Sequence, residues 1–182
     1  MRSRPQRAGL AVLLLIPVSL ASTAAAAPAD GGTASALFTV GLPDRPWRLV
    51  VDLPGFRMDP IQRLDGGARV RGADDRAGLA VSLTLAISPG DTSARSCRDH
   101  DWAGRQRIPL DREDTHLSEQ ADRARVEFIV SRIEGDPVRQ RNILLYLQRD
   151  GVCVVVHLTK ALYQPSDAAG LERLLGSARL AN

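Results

Sequence analysis

Apolar and polar residues alternate with period two through much of this chain, the spacing that puts successive side chains on opposite faces of a strand. In Leu79 to Ile87, residues Leu79, Val81, Leu83, Leu85 and Ile87 share one side, and Ala80, Ser82, Thr84 and Ala86 share the other. That pattern predicts a half-buried strand. Ala124, Val126, Phe128 and Val130 repeat it against Arg125, Glu127, Ile129 and Ser131, and Gly135-Asp136-Pro137 is expected to turn the chain. Upstream, Trp47 to Leu53 is a largely apolar run closed by the turn pair Pro54-Gly55, and Phe56 restarts the chain. A further strand, Ala68 to Gly72, is joined to Leu79 through a polar hairpin loop, Ala73 to Gly78.

The sharpest local signal is Asp150-Gly151, a two-residue loop able to supply the positive φ angles of a type I′ turn. Its hairpin sets Ile143, Leu145 and Leu147 against Leu158, Val156 and Val154 on one side. The other side carries Leu144, Tyr146, Cys153, Val155 and His157. Both sides are covered at least in part, which predicts a place near the centre of a sheet with layers on both faces. Helical spacing appears where Asp91, Thr92 and Ser93 offer N-caps for a helix running through Cys97 toward Trp102 and Gly104. Its stripe is Ala94, Cys97 and Asp101 or Trp102. Pro165-Ser166-Asp167 opens a second helix, with Leu171, Leu174, Leu175 and Ala178 in one stripe. Arg107 to Ser118 reads as a loop.

These elements run strands, helix, strands, helix. The stretch Trp47-Arg48-Leu49-Val50-Val51-Asp52-Leu53-Pro54-Gly55-Phe56 is a strand ending in a Pro-Gly-aromatic turn. It is followed by a hairpin, a middle helix, a meander with Asp150-Gly151 and a last helix closing on Leu175-Gly176-Ser177-Ala178-Arg179-Leu180. The whole resembles the PsbP-like superfamily across most of residues 36–182. The resemblance implies an α+β fold, an antiparallel sheet with helices packed on its faces as an α/β/α sandwich. It also implies an accessory or partner-binding role rather than an enzymatic one, and no family active-site residue carries over.

The N-terminus changes the picture of where this domain works. Arg2, Arg4 and Arg7 precede the apolar run Ala8 to Leu20, and Ala21 to Ala27 supplies small residues, the three parts of a secretory signal peptide spanning 1–27. A bilayer anchor needs about 20 apolar residues, whereas this run is shorter and broken by Pro17 and Ser19. Export to the periplasm or beyond is therefore expected, with cleavage after Ala26 or Ala29 and no stable membrane insertion afterwards. Residues 28–35 read as a disordered leader and 36–182 as a single α+β domain.

Removing 1–27 also removes the basic excess. The chain has 24 Lys and Arg against 21 Asp and Glu, and three arginines but no acids lie in that segment, leaving 21 against 21. Without a Lys/Arg stripe, nucleic-acid binding is not expected.

Two cysteines, Cys97 and Cys153, are expected to pair in an oxidising compartment. A reactive Cys153 with His157 as its base would need them close together, yet four residues of strand rise by about 13 Å. Cys97-Arg98-Asp99-His100-Asp101 contains metal-capable side chains but no second Cys/His pair, so it reads as a solvated helix face and no metal or cofactor is expected. His116 reads as an exposed loop histidine. His157 interrupts an apolar strand and is the polar site candidate, explained by a hydrogen bond at a sheet face as well as by catalysis. There is no Gly-x-Ser-x-Gly, Gly-x-x-x-x-Gly-Lys or His-Glu-x-x-His motif. The expectation is an exported accessory or binding protein, non-enzymatic, with an envelope or extracellular protein as its partner. The alternatives are a secreted hydrolase with an unrecognised site and a carrier of a small apolar ligand.

Overall fold

The computed structural model describes residues 36–182; the signal peptide and the leader expected over 1–35 lie outside the described residues. In chain order come β1 (Leu37–Val40), β2 (Arg48–Asp52), β3 (Arg57–Met58), β4 (Gln62–Leu64), β5 (Gly67–Asp74) and β6 (Leu79–Ile87). Helix α1 (Ala94–Arg105) follows, then β7 (Asp111–Gln120), β8 (Arg123–Ile133), β9 (Asp136–Arg149) and β10 (Val152–Lys160). A 3-10 turn (Pro165–Asp167) leads into α2 (Ala168–Ser177) and β11 (Arg179–Ala181).

The turns form where residue chemistry allows them. Gly55 takes φ +82° after Pro54, and the Phe56 amide donates to the Leu53 carbonyl at 3.3 Å. Asp150 and Gly151 sit at φ +51° and +70°, pairing Arg149 with Val152. Asp150 has a second task, since its Oδ2 accepts from the Trp47 indole at 2.8 Å and ties this hairpin to the start of β2. The preceding turn uses Glu134 and Gly135, both at positive φ, one residue earlier than the Gly135-Asp136-Pro137 reading. Pro137 then lies in β9, beside a register shift on β8 between Val130 and Arg132.

The large sheet runs β3-β5-β6-β10-β9-β8-β7, with β4 also on β5, and its pairings are antiparallel. Helix α1 is the crossover that carries the chain from β6 to the far edge. The meander β7 to β10 then returns until β10 pairs with β6. A three-stranded sheet, β1-β2-β11, lies with α2 on one face of the large sheet. Trp47, Leu49, Val51, Leu83, Leu85, Val154, Val156, Leu171 and Leu175 belong to the core between them. Helix α1 covers the other face over β8, β9 and β10, with Ala94, Cys97 and Trp102 against Val126, Phe128, Leu144, Tyr146 and Val155. The fold is α+β, one face layered by a helix and the other by a helix joined with a small sheet.

Helix α1 starts where Ser93 accepts from the Ser96 amide at 3.1 Å, and the Ser96 hydroxyl accepts from the Ser93 amide in return. The loop reading of Arg107 to Ser118 is corrected, because β7 pairs with β8 from Asp111 to Gln120. This edge strand buries no side chain fully, so its sequence lacks the alternation that burial imposes, and two register shifts distort it further. His116 accordingly stands on a strand, exposed and opposite Glu127, and His157 is not alone among the histidines in being in a sheet. The end of α2 differs too: the helix stops at Ser177, and Arg179–Ala181 extends as a strand on β2.

Candidate functional site

Register lines up three rungs across the α1 side of the large sheet. Arg71 on β5, Ser82 on β6, His157 on β10 and Leu144 on β9 make one; Arg69, Thr84, Val155 and Tyr146 make the next. Ala73, Ala80, Thr159 and Asn142 make the third. The β9 end of these rungs is apolar or buried beneath α1, while the β5 and β6 end is polar and uncovered. A cleft of about 270 Å³ opens at that boundary, lined by Arg69, Arg71, Ser82, Thr84, Val155 and His157 with Arg105 from the last turn of α1.

His157 is anchored at the cleft's inner edge. Its Nε2 lies 3.0 Å from Asn142 Oδ1, an acceptor, so this nitrogen carries the proton and donates. Thr159 Oγ1 donates to the same Oδ1 at 3.1 Å and lies 3.3 Å from the imidazole. Burial pulls the His157 pKa down to about 4, helped by the Arg105 charge and opposed by Asp101. The ring is therefore neutral at neutral pH.

Arg105 is itself fixed. Its Nε donates to Asp101 Oδ2 at 2.6 Å, and the buried Tyr146 hydroxyl donates to that same oxygen at 2.7 Å. Burial and the neighbouring Asp101 raise the Tyr146 pKa, which keeps the phenol protonated as a donor. The Arg69 and Arg71 guanidinium groups have no carboxylate or hydrogen-bond partner among the described residues.

The residues singled out in the sequence disperse around this cleft. Cys97 and Cys153 form a disulfide with Cα atoms 5.7 Å apart, joining α1 to β10. Asp91, Cys97 and Cys153 place ligand-type atoms within 4.8 Å of one another, but both sulfurs are bonded to each other. Arg98 pairs with Asp99 at 2.7 Å, Asp101 serves Tyr146 and Arg105, and exposed His100 approaches Asp91 at 3.5 Å. Arg69, Arg71 and Arg105 were not identified from the sequence. Their only early signal is that Arg69 and Arg71 alternate on β5 as Ser82 and Thr84 do on β6.

A larger groove of about 790 Å³ lies between α2 and the turn after β2, with Pro54, Phe56, Leu79 and Leu174 among its walls. It is open and holds two cations: Lys160 Nζ donates to the Ala161 carbonyl at 2.9 Å and lies 3.7 Å from Asp167, while Arg173 lines the wall without a carboxylate partner among the described residues. No helix among the described residues is long and apolar enough to cross a membrane.

No family model matches the chain, and no curated protein matches it. Among solved structures it is similar to the solution structure of cyanobacterial PsbP (CyanoP) from Synechocystis sp. PCC 6803. The two share 12% sequence identity at a TM-score of 0.52, over 85% of this chain and 98% of that one. The fold is thus PsbP-like, as the order of elements around Trp47-to-Phe56 and Asp150-Gly151 implied.

Proposed function

We propose that this chain is an exported accessory protein that binds an envelope or extracellular protein, with the uncovered β5–β6–β10 side of the large sheet as its recognition surface. The observation that carries this reading is the polar cleft itself, where unpaired Arg69 and Arg71 stand beside a largely buried, neutral His157. Buried polar groups are normally satisfied within a fold, so exposed donors gathered in a concavity are available to another molecule. The accessory role implied by the PsbP-like resemblance points the same way.

A hydrolase would use His157 as a base on a nearby hydroxyl, and Thr159 is within reach at 3.3 Å. Yet Thr159 and Nε2 both point their protons at Asn142 Oδ1, which favours a structural node over a base–nucleophile pair. The apolar-carrier alternative would use the α2 groove, whose open and partly charged walls suit it less than an enclosed cavity would.

The test is site-specific photo-crosslinking in the native envelope fraction. A probe at Ala80, exposed beside the cleft, is expected to capture one discrete protein, while a probe at Arg173 in the α2 groove captures none. Capture from Arg173 alone would overturn the surface assignment. Ester, peptide or glycoside turnover that disappears in a folded His157→Gln variant would overturn the non-catalytic reading. Export predicts a processed N-terminus between Ala25 and Asp30 by mass spectrometry, and an intact Met1 on a membrane-embedded product would refute it.

A further inference from the structure

We propose that the cleft is a phosphate-monoester site, in which Arg69, Arg71 and Arg105 grip the dianionic oxygen cluster of one phosphate group. This inference rests on the binding reading above and gives it a ligand chemistry.

The argument is one of charge and spacing. Of the three guanidinium groups lining the cleft, only Arg105 has a carboxylate, Asp101, at 2.6 Å; among the described residues no other carboxylate pairs with them. Two positive charges are therefore left uncompensated, which matches a dianion better than a single carboxylate. Arg69 and Arg71 leave β5 two residues apart, about 7 Å along the strand, so their planar forks can approach one phosphate from adjacent sides. Ser82 and Thr84 lie directly across the ladder from Arg71 and Arg69 and offer hydroxyl donors between them.

The third cation arrives already positioned. Arg105 is held by Asp101, and Asp101 is held by the Tyr146 hydroxyl from the buried core, so little side-chain freedom remains to be lost on binding. The volume of about 270 Å³ admits one headgroup-sized anion and does not form a track. A nucleic-acid backbone would instead need a stripe of cations along its length. The chemistry fits a phosphorylated soluble group or a lipid phosphate equally, and the two sources are separable.

Inorganic phosphate, sulfate and acetate are titrated into the purified protein at low salt, followed by amide and side-chain NMR and by calorimetry. Phosphate is expected to give saturable shifts at Ser82, Thr84 and His157, with acetate binding about tenfold more weakly. Arg71→Gln and Arg69→Gln should each weaken phosphate by about tenfold or more at unchanged melting temperature, and Arg173→Gln should leave it alone. Co-sedimentation with phosphatidic-acid vesicles, competed by free phosphate and absent with phosphatidylcholine, would assign a lipid headgroup. Saturable phosphate without vesicle binding would assign a soluble phosphate ester. Absence of saturable shifts at the cleft, or shifts indifferent to Arg71→Gln, overturns the inference. If the Ala80 crosslink survives that failure, only the ligand chemistry falls; if both fail, the recognition surface falls with it.

Discussion

The two sides of β10 show how differently one sheet can be finished. Val152, Val154, Val156 and Leu158 face α2 and the small sheet and are all nearly inaccessible, whereas Cys153, Val155, His157 and Thr159 face α1 and grade from buried to half-exposed. The cause is coverage. A helix about 10–12 Å across spans two or three strands spaced about 4.8 Å apart, and α1 lies over β8, β9 and β10. On that side β5 and β6 have no cover, so they carry Arg69, Arg71, Ser82 and Thr84 where their other faces carry Ala68, Val70, Leu83 and Leu85. The side covered by α2 and the small sheet holds the larger core; the side covered by α1 alone leaves β5 and β6 open.

Adjacent residues on β6 give the sharpest way to break this comparison. Leu83→Ala, on the doubly covered side, should cost about 2–5 kcal/mol in urea denaturation. Ser82→Ala, one residue away on the open side, should change stability by less than about 0.5 kcal/mol. Equal costs would mean that the open side is packed as tightly as the sealed one.

On the α1 side, the Cys97–Cys153 bridge is expected to contribute about 2–4 kcal/mol, since it closes a 56-residue separation. The double serine variant should melt lower, and its α1 amides should exchange faster while α2 amides keep their protection. Uniform loosening of both helices would show that the bridge does not act mainly on α1.

His157 makes the α1 side acid-sensitive. Above pH 6.5 the imidazole is neutral in both folded and unfolded chains; between 6.5 and about 4 only the unfolded chain readily takes the proton. Stability therefore falls as pH falls through that window, by up to about 3 kcal/mol. His157→Gln should cost about 1–2 kcal/mol at neutral pH but remove this component of the slope. A variant with the wild-type pH profile would assign the loss to other groups.

The smallest effect is expected from a surface pair. Arg125 reaches Glu172 on α2 through two hydrogen bonds of 2.8 and 2.6 Å, and these bonds hold the Glu172 carboxyl below its ordinary range. Their contribution is present above the unfolded carboxyl pKa and lost as pH falls through the folded one. Because Glu172 is half exposed, Glu172→Gln should cost no more than about 1 kcal/mol near neutral pH. A larger loss would mean that α2 depends on this pair more than on Leu171 and Leu175.

Local chemistry made much of the fold legible in the sequence alone. Asp150-Gly151 and Pro54-Gly55 turn the chain because their backbones tolerate the required φ, Ser93 caps α1, the alternation of β6 separates a buried face from an open one, and the apolar runs of β9 and β10 mark two covered faces. Each depends on neighbours a few residues apart. β7 and β11 did not announce themselves, because an exposed edge strand and a three-residue strand are held by partners distant in sequence rather than by a buried pattern of their own. The cleft belongs to the same class. Arg71 and Arg105 are separated by a hairpin and most of a helix, and nothing in either segment names the other. They meet because α1 crosses from β6 to the far edge and packs over β8 to β10, ending beside the uncovered rungs of β5 and β6. That juxtaposition is set by strand order, and strand order is decided by long-range packing.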